Sequence, residues 1–147
     1  MLETDAVDIL LVEDNPYDIE LALRAFKKNR RTHHVFVVND GAEALAFIFS
    51  EGPFVSRTPE SFPKVIFLDL KLSKVDGLEV LRRIKSDERA KTIPVVVLTS
   101  SREERDVKAC YALGVNSYVV KPVDYDDFVE TLSKLSQYWL GVNEPPR

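Results

Sequence analysis

The chain has little of what builds covalent or soft-metal scaffolds. Cys110 is its single cysteine among 147 residues, so no intrachain disulfide can form and a reducing interior is the natural compartment. Cys110 itself reads as a small core residue. The two histidines, His33 and His34, stand side by side with no spaced His or Cys partner, and both are expected to face solvent rather than a metal. No apolar run approaches the roughly 20 residues that cross a bilayer, and the N-terminus is acidic, unlike the basic start of a signal peptide. A cytoplasmic location and no membrane partner are the expectation. Positive charge is not in excess either: 20 Lys and Arg against 24 Asp and Glu give a net charge of −4, which leaves no general field for nucleic acid. Local basic groups such as Lys27, Lys28, Arg30 and Arg31, or Arg82, Arg83 and Lys85, fall toward helix C-termini, where a solvated cation is favoured. Internal repeats and low-complexity segments are absent.

What is present is 45% apolar content in a length that suits one well-buried domain. Val65, Ile66, Phe67 and Leu68 form an unbroken apolar run that ends in Asp69. Such a run reads as a strand buried on both faces, at the centre of a parallel sheet. Three further runs behave alike. Asp8–Val12 closes on Glu13-Asp14, Ile93–Leu98 on Thr99, and Ser117–Val120 on Lys121-Pro122, while Val35–Val38 makes a fifth strand.

Helical patterns alternate with these runs. Asn15-Pro16, with Asp18 in the first turn, predicts an N-cap and a helix whose inner face carries Ile19, Ala22, Leu23 and Phe26. Asp40 with Glu43, Asp76 with Glu79, and Ser101 with Glu104 repeat the capping-box spacing at three further helix starts. Gly114 offers a left-handed stop to the helix after Thr99. The last helix starts near Asp124. Phe128, Leu132, Leu135 and Trp139 form its core stripe, and Tyr125, Val129 and Leu140 widen that stripe beyond what one sheet face needs. These three are interface candidates for a homodimer through the last helix.

Between Ser50 and Pro63 the periodicity stops. Pro53, Pro59, Pro63 and Gly52 break it, while Phe54 and Phe62 call for burial, so this connection is expected to be a packed surface loop or a partner contact. Five strands alternating with five helices imply right-handed crossovers and an α/β fold: a doubly wound five-stranded parallel sheet in a three-layer α/β/α sandwich. Carboxyl ends of the strands then share one edge, the edge that carries the ligand crevice.

That edge gathers Glu13, Asp14, Asp69, Thr99 and Lys121. Each has a plainer reading alone: a strand-end turn, a hydroxyl cap, a surface lysine before a turn proline. Four successive strand ends carrying such groups make the joint reading the stronger one. Three crowded carboxylates demand a cation, and an all-oxygen set suits Mg2+, with Mn2+ as a substitute. Asp14 and Asp69 would bind directly, the main-chain carbonyl of Lys71 is a further ligand candidate, and Glu13 would act through water. A carboxylate beside a metal and an ammonium can accept a phosphoryl group, since that transfer needs positioning and charge neutralisation above all. Asp69 is the acceptor in this reading, Lys121 the counter-charge and Thr99 a donor to a phosphoryl oxygen.

With these residues the chain resembles the receiver domains of two-component response regulators. Val12-Glu13-Asp14, Phe67-Leu68-Asp69, Asp76-Gly77, Leu98-Thr99-Ser100 and Tyr118 to Pro122 carry the resemblance, over roughly residues 7–140. It implies a flavodoxin-like fold, with Asp69 as phospho-acceptor, Glu13 and Asp14 as the acid pair, and Thr99 and Lys121 as the switch hydroxyl and phosphate-binding lysine. It further implies Tyr118 as the switch aromatic and Pro122 as a cis proline. From the residues alone, Tyr118 reads rather as a plain core aromatic. Lys71 and Ser101, two residues beyond Asp69 and Thr99, occupy positions that in the family tune phosphoryl lifetime. Ser73 stands where the family often has proline, which leaves the rigidity of that loop open.

The resemblance makes the protein a signalling domain rather than an enzyme, fed by a sensor histidine kinase or phosphotransfer protein. The long loop and the Gln137-Tyr138-Trp139-Leu140 ending look like the small receivers that partner bacterial phytochromes. A short tail at 141–147 is too little for an output domain, so signalling is expected through protein contacts. Two alternatives belong to other classes. A Mg-dependent phosphohydrolase of the haloacid dehalogenase type would carry an acid two residues past the nucleophile, where this chain has Lys71. A flavin or nucleotide module would need a glycine-rich turn where this chain has Glu13-Asp14-Asn15-Pro16.

Overall fold

A computed structural model describes residues 7–29, 34–58 and 61–146; Arg30, Arg31, His33, Pro59 and Arg147 of the sequence reading lie outside them. Strands β1 (Ile9–Val12), β2 (Val35–Val38), β3 (Val65–Leu68), β4 (Val95–Thr99) and β5 (Ser117–Val120) alternate with helices α1 (Pro16–Lys27), α2 (Gly41–Ile48), α3 (Gly77–Ser86), α4 (Glu104–Ala112) and α5 (Tyr125–Gln137). Every ladder is parallel and the strand order is β2-β1-β3-β4-β5. From β1 the chain goes out to β2, then returns across β1 to β3. Order therefore reverses between β1 and β3, and the crevice expected at such a reversal opens beyond their carboxyl ends.

Strand alternation divides the core between the two faces of the sheet. Leu10, Val12, Ile66, Leu68, Val95 and Val97 pack with α2, α3 and Cys110 of α4. Ile9, Leu11, Val65, Phe67, Val96 and Leu98 pack with Ala22, Ala25 and Phe26 of α1 and with Phe128, Val129 and Leu132 of α5. All four residues of β3 are fully buried, as an apolar run between two helical layers requires.

Most helix signals act as read. Asn15 Oδ1 accepts from the amides of Tyr17 (2.9 Å) and Asp18 (3.2 Å), and Asp40, Asp76 and Asp124 each accept an amide three residues on. Gly114 has φ +97° just past α4. The start of α4 differs. Glu103 precedes it without a side-chain cap; the Ser101 hydroxyl donates to Asp106 Oδ2 at 2.5 Å and accepts the Glu103 amide at 3.3 Å, two residues on rather than three. Glu79 likewise does not reach back to its cap; it holds Arg82 at 2.5–2.8 Å.

Three further expectations are corrected. Val129 is not a surface residue: α5 packs on α1 as well as on the sheet, so its apolar stripe must be wide, and Val129 lies in that core at 5% exposure. Leu140 is half-buried against the same cluster, which leaves Tyr125 as the exposed member of the trio. Lys85 is not a solvated end. Its Nζ donates to the carbonyls of Lys91 (3.0 Å) and Ile93 (2.8 Å) and to Asn116 Oδ1 (2.9 Å), and burial pushes its pKa down to about 8. No peptide bond among the described residues is cis, so Lys121–Pro122 is trans, the form an X–Pro bond favours by roughly 0.5–1 kcal/mol.

The described residues of the 50–63 connection, 50–58 and 61–63, are packed, as its aromatics demand. Phe54 sets its edge against Phe36 and Phe47, and Phe62 joins the same core. Its anchor is Arg57, which is 3% exposed. The guanidinium lies 3.8 Å over the Phe47 ring and donates to the Phe47 and Ser61 carbonyls.

Candidate functional site

Ladder geometry delivers the site residues. Past the strand ends the pairing continues: Glu13 N donates to Val38 O (3.1 Å), Asp69 N to Val12 O (3.1 Å) and Lys121 N to Thr99 O (2.7 Å). The backbones of Glu13, Asp69, Thr99 and Lys121 are thus fixed to one another before any side chain is placed.

Glu13, Asp14 and Asp69 each offer a carboxylate oxygen, all within 4.8 Å of one another. Glu13 and Asp69 are buried and Asp14 is exposed, so the group forms a cup open on one side. At about 5 Å and an effective dielectric of ~20, two such charges repel by roughly 3 kcal/mol. The strain shows on Glu13: burial, then the Asp69 charge, raise its pKa to about 7, although Lys121 and the amide of Asn15 pull the other way. Its Oε2 accepts from the amides of Asp14 (3.1 Å) and Asn15 (3.2 Å). Hard oxygen donors that repel one another and open to solvent fit a divalent cation.

Lys121 closes the inner side of the cup. Its Nζ lies 2.7 Å from Glu13 Oε1, 2.8 Å from Asp18 Oδ2 and 3.2 Å from Asp69 Oδ2. Burial alone would lower its pKa, but hydrogen bonds to Asp18 and Glu13 outweigh that and hold it above the ordinary lysine value. Asp18 is the member the sequence reading missed. In the sequence it reads only as a first-turn residue of α1, yet that turn rises from the same sheet edge, which is the available signal.

Thr99 is fully buried and its Oγ1 accepts from the Ser101 amide at 3.3 Å. Tyr118 is half-buried, and its hydroxyl donates to Ser101 O at 2.9 Å. Ser101 therefore joins Thr99 on one side to Tyr118 and, through Asp106, to α4 on the other. Lys71 is exposed, with its amide directed at Asp69 Oδ1 at 3.4 Å. The loop that carries it is held despite Ser73 in place of proline. Ser73 O accepts from Gly41 N (3.3 Å) and Val75 N (2.8 Å), and Leu70 O accepts from Gly77 N (2.9 Å). His34 is exposed and away from the site, as expected.

The family model for the response regulator receiver domain matches residues 9–133. The chain belongs to that family. This receiver is 42% identical to the probable methanogenesis regulatory protein FilR2 of Methanothrix harundinacea, over 97% of this chain and 89% of that one. It superimposes on the crystal structure of the phosphorylated cyanobacterial phytochrome response regulator RcpA with a TM-score of 0.89 at 40% identity, covering 95% and 97% of the two chains. The Mn2+-bound form of response regulator Rcp1 gives a TM-score of 0.89 at 38% identity, covering 95% and 98%. The receiver is thus a two-component signalling domain with a flavodoxin-like fold, and the phosphohydrolase and nucleotide-module alternatives are set aside. No helix among the described residues is long and apolar enough to cross a membrane.

Proposed function

We propose that this receiver accepts a phosphoryl group on Asp69 from the phosphohistidine of a sensor histidine kinase or phosphotransfer protein. The observation that carries the reading is the buried Asp69 carboxylate, 3.2 Å from an ammonium and within 4.8 Å of two further carboxylates in an open cup. An Asp69 oxygen forms the P–O bond as the donor's P–N bond breaks, and the imidazole departs with that electron pair. Asp14, Asp69 and the Lys71 carbonyl would hold Mg2+, with Glu13 acting through water; when bound, the ion would supply charge neutralisation at the phosphoryl oxygens. Lys121 takes one phosphoryl oxygen and Thr99 donates to another. When Thr99 turns inward it releases the Ser101 amide, and Tyr118 is free to rotate. The surface of α4, β5 and α5 then changes its affinity for a partner.

Intact mass after incubation with Mg2+ and acetyl phosphate tests the core of this. Wild type gains one phosphoryl group and Asp69→Asn gains none; an equal gain in both would defeat the assignment. The finer proposal is a phytochrome-type kinase as donor, supported by the RcpA likeness. Phosphotransfer from a bacterial phytochrome kinase faster than from an unrelated histidine kinase would bear it out, and equal rates would remove it. A second copy docking beside exposed Tyr125 is the alternative output; sedimentation that shows only monomer with and without beryllium fluoride excludes it.

A further inference from the structure

An ammonium has three hydrogens, and the Lys121 ammonium has three takers. Glu13 at 2.7 Å and Asp18 at 2.8 Å are nearer than Asp69 at 3.2 Å. Lys121 is therefore committed, with its weakest contact to the residue that would carry the phosphoryl group. Glu13 cannot yield easily, because its other oxygen is held by two backbone amides. Asp18 is different. Helix α1 is already capped by Asn15, whose Oδ1 takes the Asp18 amide, so the Asp18 carboxylate is not needed as a cap. Its side chain is 23% exposed, while that of Lys121 is 11% exposed, and it is not among the three acids that gather for a cation.

Phosphorylation would turn Asp69 from a charged acceptor into a neutral acyl oxygen and set a phosphoryl dianion beside it. Lys121 must then move a hydrogen bond to a phosphoryl oxygen, against the claim of Asp18 and with a further negative charge one ammonium away. We propose that Asp18 is a positioning residue that competes with the phosphoryl group for Lys121 and so sets how long and how fully Asp69 stays phosphorylated. It does so without touching the phosphoryl group. The inference rests on the reading of Asp69 as acceptor.

Beryllium fluoride binding in saturating Mg2+ tests it on Asp18→Asn, with Asp18→Ala as a second variant and Glu20→Gln as a control. The Glu20 control makes the same charge change on the same helix, at a residue paired with Arg24. Both Asp18 variants should bind beryllium fluoride roughly three- to tenfold more tightly, the range expected when a half-buried ion pair stops competing. The lifetime of the acetyl-phosphate adduct should lengthen in step. Affinity for Mn2+ alone should stay level or fall, since a negative charge near the cup is lost. A merely structural role would weaken both ligands. Unchanged or weaker beryllium fluoride binding in folded Asp18 variants overturns the proposal, and so does an equal gain in Glu20→Gln. Should wild type itself bind none, the acceptor reading fails first and this inference falls with it.

Discussion

Lys121→Met strands Glu13, Asp18 and Asp69 around an apolar side chain, and breaking so buried a charge cluster is costly. We expect a loss of about 2–4 kcal/mol at pH 7 in chelator, read by urea unfolding, with much of it restored by Mn2+ through binding linkage. Glu13 makes the cup pH-sensitive in a definite direction. Its folded pKa, about 7, lies above the ordinary glutamate value of 4.5. Below the lower value both states hold the proton; between the two only the fold does. The stability it contributes is therefore present at low pH and lost as pH rises through about 7. A cation that takes the Glu13 side of the cup must displace that proton. Calorimetry in two buffers of different ionisation heat should show proton release on Mn2+ binding near pH 6.5, fading toward pH 8.5; no release at either pH would contradict this.

At the scale of elements, the loop after β3 owes its shape to close backbone approach. A Cβ on Gly41 would sit 1.7 Å from Val75 O, so α2 and that loop cannot both keep their places around a larger residue. Gly41→Ala should cost more than about 2 kcal/mol and weaken Mn2+ binding, because the displaced loop carries Lys71 and begins at Asp69. Calorimetry on the folded variant checks the second effect. The 50–63 connection depends on Arg57 in the same way. Arg57→Lys keeps the charge but loses the planar fork over Phe47 and its paired donations to Phe47 and Ser61. Limited proteolysis should cut this loop faster in the variant, with roughly 1–3 kcal/mol of stability lost.

Taken as a whole, the molecule keeps its chemistry at one sheet edge and separates two cores by the sheet. Val129 belongs to the α1–α5 core, so Val129→Ala should cost about 1–2.5 kcal/mol while leaving the oligomeric state unchanged. Tyr125→Ala, at 73% exposure, should leave stability within about 0.5 kcal/mol. On the other side, Thr99, Ser101, Tyr118 and Asp106 form one connected path from the cup to α4. If Asp69 is the acceptor, beryllium fluoride should alter amide exchange in α4 and β5 more than in α2, which that path does not reach. Equal protection in both would argue against coupling along it.

The architecture was open to reading because its signals are local. Apolar runs such as Val65–Leu68, caps such as Asn15 and Asp40, and the Gly114 stop each act within a few residues, and parallel pairing with right-handed crossovers leaves few topologies. The same topology forces Glu13, Asp69, Thr99 and Lys121 onto one edge, so these four followed from strand ends alone, whereas Asp18, on the first turn of α1, did not. What depended on three dimensions was which partner each long side chain would choose. Asp18 reaches Lys121 across 103 positions, Lys85 reaches Asn116 across 31, and Val129 is buried because α1 lies over α5. Ser101 Oγ accepts the Glu103 amide instead of an amide three residues on and donates to Asp106, and only the placement of α4 decided those partners. Short-range periodicity fixes which face of an element is apolar. Which neighbour meets that face, and which of several carboxylates a lysine holds, is set by packing between elements distant in the chain.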